Sequence, residues 1–143
     1  MSTTRADPSK TAAKLLEQYD EEWVARLAEE LDRRLGARGL AHVMRAWRLS
    51  ATALGELFGV SRQAASKWLD DGVPADRAPQ VADLEAMTEL LQRYLKADRI
   101  PAVVRREAPG LGGESLMSLV ASGRSAEALA LTRQMFAFGD LHR

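Results

Sequence analysis

The side chains best suited to chemistry lie in one short run of this sequence. After Ser61 come Arg62, Gln63, Ser66 and Lys67, spaced so that they share one face of a short helix. Arginine can form two hydrogen bonds to guanine and glutamine two to adenine, while serine and lysine can reach base edges or phosphates. The run therefore predicts a surface that contacts DNA. The alternative is an ordinary solvated helix face.

Catalysis and metal binding find little support in the residues. The only histidines, His42 and His142, are 100 positions apart, and the chain has no cysteine. The absence of cysteine excludes disulfides, thiolate zinc sites and cysteine nucleophiles. The carboxylates are spread along the chain without a marked pair, so we expect no enzyme activity, no metal and no cofactor. We expect His42 to be a surface or edge residue.

The composition of the 143 residues predicts an all-α fold. Alanine (24) and leucine (20) are strong helix formers and are abundant, whereas no alternating strand pattern of useful length occurs. Twenty Lys and Arg residues balance 20 Asp and Glu, and 46% of the residues are apolar, which suits one compact domain or two very small ones. Neither a leader nor an apolar stretch of about 18 residues is present, so we expect a cytoplasmic protein and no membrane contact.

Two short helical patterns with a glycine between them position the DNA-contacting run. Ser50 can cap a first helix, and Gly59 can take the left-handed conformation that ends it. Ser61 can cap a second helix, and Gly55 is small where the two helices would cross closely. The second helix would bury Trp68, which we therefore expect to be structural. Two short helices joined by a tight turn predict a helix-turn-helix.

These residues resemble the helix-turn-helix of the Xre (Cro/C1-like) bacterial repressors. Residues 54–68 read LGELFGVSRQAASKW, Gly72 and Pro74 follow, and the resemblance covers about Met44 to Leu91. It implies a lambda-repressor-like core and a transcriptional regulator, nucleoid-associated in a bacterium, that inserts residues 61–70 into the major groove of double-stranded DNA. The sequence departs from the family at Ala51, where a phosphate-anchoring polar residue is usual, and at Leu69, where an acidic one is.

Phosphate contacts and a homodimer complete this prediction. Thr52 stands beside Ala51 as a substitute anchor, and Arg48 is a further phosphate candidate, although a solvated face is the alternative for Arg48. Residues 37–77 hold six cations and four acids. Because a charge of +2 is small for a DNA-binding region, a single copy should bind weakly, and we expect a homodimer.

An amphipathic helix predicted from Thr11 to about Leu35 precedes this region. Its apolar residues recur every three or four positions, and Gly36 and Gly39 supply stop signals. The helix either docks on the rest of its own chain or forms the dimer seam. The candidate seam residues on it are Trp23, Leu27 and Leu31, and an alternative seam lies near the C-terminus, at Leu131, Met135, Phe136 and Phe138.

The C-terminal residues predict a small helical subdomain for dimerisation or partner binding. The run Leu111 to Met117, with Gly123 after it, resembles the C-terminal domain of Xre/MbcA/ParS-type antitoxins, which implies a toxin as an alternative partner. Leu116 stands where that family usually has proline. The alternative is an ordinary loop in which Ser115 caps a helix. The predicted division is a disordered tail (1–10), an amphipathic helix (11–36), the DNA-binding domain (37–97) and the subdomain (98–143).

Overall fold

A computed structural model describes the backbone of residues 5–141 and the side chains of residues 5–137. This part of the chain is all-α, as predicted, with eight α-helices and no strand. The helices are α1 (Pro8–Gln18), α2 (Glu21–Trp47), α3 (Ala51–Phe58), α4 (Arg62–Asp71), α5 (Ala78–Tyr94), α6 (Ile100–Arg105), α7 (Leu116–Ala121) and α8 (Ser125–Leu141). The chain forms two compact units, one up to Asp32 and one from Arg33 onward.

The first unit begins with a helix that starts and ends earlier than the sequence pattern indicates. The Asp7 carboxylate accepts a hydrogen bond from the Ser9 N–H and caps α1, so residues 8–10 are helical and not part of a tail. Tyr19 is extended and ends α1, and Asp20 then caps α2 by accepting from the Trp23 N–H at 2.8 Å. The prediction of a single helix from Thr11 is therefore wrong. The apolar repeat continues across residues 19 and 20, but Tyr19 ends one helix there and Asp20 caps the next.

The predicted stop at Gly36 and Gly39 is also wrong, since α2 continues through both to Trp47. Both glycines lie where α2 faces side chains from later in the sequence. A Cβ on Gly36 would lie 3.2 Å from the Val73 Cβ, and one on Gly39 would meet the Glu85 carboxylate. The residues from Leu40 to Trp47 are therefore the last turns of α2 and not part of a separate helix.

The core of the second unit is built around the end of α2 and the middle of α5. Trp47 is fully buried, and its Nε1 donates to the Thr88 Oγ1 at 3.0 Å. The Thr88 hydroxyl donates to the Leu84 carbonyl at 2.8 Å, so the buried polar groups are paired. Helix α8 packs along α5, where Phe136 stacks on Tyr94 with ring centroids 4.6 Å apart, and α7 packs on α3. Residues 98–137 thus share a core with the helices before them.

None of the helices between residues 5 and 141 is both long and apolar enough to cross a membrane.

Candidate nucleic-acid interface

Helices α3 and α4 are short, and both begin at the serines that the sequence indicated. The Ser50 hydroxyl accepts from the Ala53 N–H at 3.1 Å, and the Ser61 hydroxyl accepts from the Ala64 N–H at the same distance. Gly59 ends α3 in the left-handed conformation, with φ +66°. The predicted caps and turn are confirmed, so local sequence fixes where α4 begins.

Gly55 sets how closely the turn approaches α3. A Cβ there would lie 2.7 Å from the Val60 carbonyl oxygen and 3.1 Å from the Ser61 backbone. The close neighbour is therefore the turn and not, as the sequence suggested, a crossing helix. Because backbone cannot give way as a flexible side chain can, any larger residue at position 55 would displace the start of α4.

Helix α4 has one buried and one exposed face. Ala65 and Trp68 are buried, Leu69 and Ser66 are half-buried, and the other predicted contact residues, Ser61, Arg62, Gln63 and Lys67, are exposed. Within the described part of the chain, neither Arg62 nor Lys67 has a hydrogen-bond or ion-pair partner. The predicted face is thus brought together at the start of one helix, with its cationic groups available to a ligand.

Trp68 holds α4 against α3. Its ring meets the Phe58 ring edge to face, with centroids 5.5 Å apart. The Arg77 guanidinium lies 5.6 Å from the centre of the indole and donates to the Phe58 carbonyl at 3.0 Å. Arg77 therefore joins the end of α3 to the buried face of α4. The sequence does not indicate this role of Arg77, because no periodicity connects it to a carbonyl 19 positions away.

The two predicted phosphate contacts lie at the start of α3. The side chains of Arg48 and Thr52 are both exposed. Arg48 has φ +53°, which residues other than glycine, asparagine, aspartate and histidine seldom adopt. Its carbonyl accepts from Arg105, which also donates to the carbonyls of Trp47 and Pro101, each at 2.8 Å. Arg105, whose role the sequence likewise does not indicate, thus fixes the link between α2 and α3.

Acidic groups lie at the far end of α4. Asp70 and Asp71 are exposed in its last turn, whereas Arg62 opens its first turn. The unpaired N–H groups at a helix start carry partial positive charge and favour negative ligands. In α4 the side-chain charge has the same polarity, positive at the start and negative at the end. An anionic ligand would therefore approach the start of α4 and not its end.

The predicted seam residues are distributed over two helices. Trp23 and Leu31 are exposed on α2 and Leu27 is half-buried, while on α8 Met135 is exposed and Phe136 is half-buried against Tyr94. The side chain of Phe138 lies outside the described residues.

Of the two histidines, only His42 lies within the described residues. His42 is half-buried, with its Nε2 3.1 Å from the Gln92 Oε1, and His142 lies outside the described residues. Burial and the neighbouring Glu89 carboxylate raise the pKa of Glu85, and His42 partly offsets this rise. No group of three or more metal-ligating side chains occurs between residues 5 and 137.

The glycine-rich C-terminal loop is accounted for by helix capping. Gly112 and Gly113 have φ +68° and +82°, and Ser115 caps α7. The Ser115 hydroxyl accepts from the Ser118 N–H at 3.0 Å, and the Ser118 hydroxyl accepts from the Ser115 N–H at 2.9 Å. This reciprocal capping box is the structural alternative that the sequence left open for this run.

Comparison with family models, with characterised proteins and with solved structures finds no match to this chain. Neither the Xre repressors nor the antitoxins are therefore identified as its relatives.

Proposed function

We propose that the protein is a sequence-specific DNA-binding transcriptional regulator whose α4 enters the major groove. The observation that carries the proposal is the exposed face at the start of α4, where Arg62, Gln63 and Lys67 stand together and form no hydrogen bond or ion pair with any other side chain in the described part of the chain. The opposite face of α4 is buried, and there Trp68 contacts Phe58 and Arg77. These contacts hold the exposed face in a fixed position, which an ordinary solvated helix face would not require.

The chemistry of each residue suggests its part in binding. Arg62 and Gln63 lie in the first turn of α4, the end that a recognition helix inserts, and their side chains can each form two bonds to a purine edge. Lys67, one turn further on, presents a compact positive charge suited to a phosphate. Thr52, in the first turn of α3, and Arg48 before it can contact the backbone that flanks the groove.

Rigid positioning matters because base reading fails when donors are misplaced. Gly55 allows the turn to lie against α3, and the Ser61 cap fixes the first turn of α4. Arg105 fixes the entry to α3 through the carbonyls of Trp47 and Arg48. The residues proposed to meet DNA thus lie near the starts of two helices whose starts are both held in place.

Binding of a toxin remains a prediction without a supporting observation of its own. The C-terminal loop that suggested it is explained by the Ser115 capping box. We therefore put forward DNA binding alone, and a regulator of this type would act in the cytoplasm of a bacterium.

The experiment selects binding sites from a random pool of duplex DNA and measures affinity for the selected site by fluorescence anisotropy. In Arg62→Ala/Gln63→Ala we expect a loss of roughly 1–3 kcal/mol for each specific contact, together with relaxed base preference. The matched control is Arg133→Ala/Gln134→Ala, because an adjacent Arg-Gln pair is also exposed on α8. Lys67→Ala should weaken binding to all sequences and reduce the salt slope by about one, whereas Lys96→Ala should not.

Two results would contradict the proposal. One is a selection that enriches no sequence at all. The other is an equal loss of affinity in both double variants, since the start of α4 would then contribute no more than any other surface arginine and glutamine.

A further inference from the structure

The first unit exposes an apolar surface that its described residues leave uncovered. No residue from Arg5 to Asp32 is buried, although α1 and the first turns of α2 are amphipathic. Among the described side chains six large apolar ones are exposed, and five of these lie between positions 16 and 35. On this surface, Leu16 is 53% exposed, Tyr19 42%, Trp23 41% and Leu31 52%. We call these four residues the N-terminal apolar face.

The N-terminal apolar face holds large apolar side chains in fixed positions while they remain exposed to water. The Tyr19 and Trp23 rings stack with centroids 3.9 Å apart, which brings two large apolar rings together on the surface. Helix α1 has 11 residues, and an isolated helix of that length is marginal in water. Because helices gain most of their stability from packing of an apolar face, the N-terminal apolar face is expected to be covered in the working protein.

The charges around the face indicate what covers it. Between Glu21 and Asp32 five acids accompany one arginine, whereas α1 carries two lysines and one glutamate. The acidic part of α2 repels DNA phosphates, and it lacks the Lys- and Arg-rich polar face of helices that lie on membranes. A protein partner is thus favoured, and a second copy of this chain would bring a cationic α1 to an acidic α2.

The area is also of the right order for a second copy. The exposed fractions of the four residues of the N-terminal apolar face correspond to roughly 400 Å² per chain, so two chains bring about 800 Å², to which the neighbouring atoms of α1 and α2 add toward the about 1,000 Å² of a specific interface. We infer that the N-terminal apolar face is a homodimerisation surface, covered by the same face of a second copy. The inference rests on the proposed function in one respect: a two-fold dimer would present two copies of α4 to a palindromic site.

The test is the solution mass of the full-length protein, measured by light scattering at micromolar concentration without DNA. The wild type should have twice the 15.7 kDa mass of the chain. Leu16→Glu/Leu31→Glu should have the mass of one chain, because it places four carboxylates in the interface. Both leucines are more than half exposed, so the fold of each copy should survive, which far-UV circular dichroism checks.

The matched control is Met135→Glu on α8, where the alternative seam lies and where the side chain is 44% exposed. It should leave the dimer intact. A wild type with the mass of one chain would overturn the inference, and so would a dimer that Met135→Glu dissociates and Leu16→Glu/Leu31→Glu does not.

A second measurement uses the absence of cysteine from the sequence. Leu31→Cys would carry a single thiol, so any disulfide formed on mild oxidation must join two copies. We expect cross-linked dimer from Leu31→Cys and little from Met135→Cys, and the reverse would overturn the inference. Because neither measurement uses DNA, a dimer that binds no site would refute the proposed function alone, whereas a monomer that still reads a site would refute this inference alone.

Discussion

Replacement of Trp68 by alanine tests whether the buried face of α4 is what holds the candidate interface in place. The indole is 9% exposed and contacts the Phe58 ring and the Arg77 guanidinium. Truncation of a buried tryptophan to alanine typically costs about 3–5 kcal/mol through lost burial and the cavity left behind. We expect a value in this range for the free energy of unfolding.

Part of that loss can be assigned to the neighbours of the ring. An edge-to-face aromatic pair adds about 0.5–1.5 kcal/mol to simple burial, and a cation beside a ring adds about 0.5–1 kcal/mol. Trp68→Phe keeps an aromatic ring against Phe58 and should therefore cost less than Trp68→Ala. Arg77→Ala should cost about 1–2 kcal/mol, because it also removes the hydrogen bond to the Phe58 carbonyl.

The assay is urea unfolding followed by far-UV circular dichroism, since the chain has three tryptophans and fluorescence would change with their number. With a typical urea dependence of about 2 kcal/mol per molar, Trp68→Ala should lower the midpoint by on the order of 2 M. Trp68→Ala and Arg77→Ala should combine less than additively, because they remove a shared contact. An unchanged midpoint in Trp68→Ala, or strict additivity, would refute this account of the packing.

Two further predictions concern glycine packing and pH. Gly55→Ala should destabilise the protein by about 1–3 kcal/mol, because the new Cβ would meet backbone atoms. Gly39→Ala should be neutral or slightly stabilising, because its Cβ would meet only the Glu85 carboxylate, which can move away. The urea midpoints of the two variants test this difference, and equal losses would contradict it. The raised pKa of Glu85 means that the folded protein holds this proton more tightly, so stability falls as pH rises from 4.5 through the raised value. Glu85→Gln should therefore stabilise the protein at neutral pH but not below pH 4.5, and a benefit independent of pH would contradict the assignment.

Sequence alone predicts those features of the fold that depend on near neighbours. The caps at Ser50 and Ser61 and the left-handed Gly59 are determined within three or four residues, and the structure confirms each of them. The buried position of Trp68 follows from helical periodicity in the same way. Local signals are sufficient here because a helix start is a local hydrogen-bonding problem.

The features that sequence does not predict depend on distant partners. Gly36 and Gly39 have the residue type of a helix end, but they serve contacts with Val73 and Glu85, which only the folded chain brings near. Arg105 is likewise indistinguishable from a surface arginine until the end of α2 lies beside it. The candidate interface combines both situations. The positions of its residues on α4 follow from the nearby sequence, but its function depends on a ligand outside the chain.

The bond from Arg105 to the Trp47 carbonyl, across 58 positions, has a consequence for protein engineering. Deletion of the chain after α5 would strip that carbonyl of its donor and uncover the sides of α3 and α5 on which α7 and α8 pack. A shortened protein retaining only α2 to α5 would carry the complete set of proposed DNA-contacting side chains and still aggregate or unfold. The segment α2 to α5 is therefore not an independently folding domain. A chimera designed to transfer its proposed DNA-contacting side chains must also include the C-terminal helices.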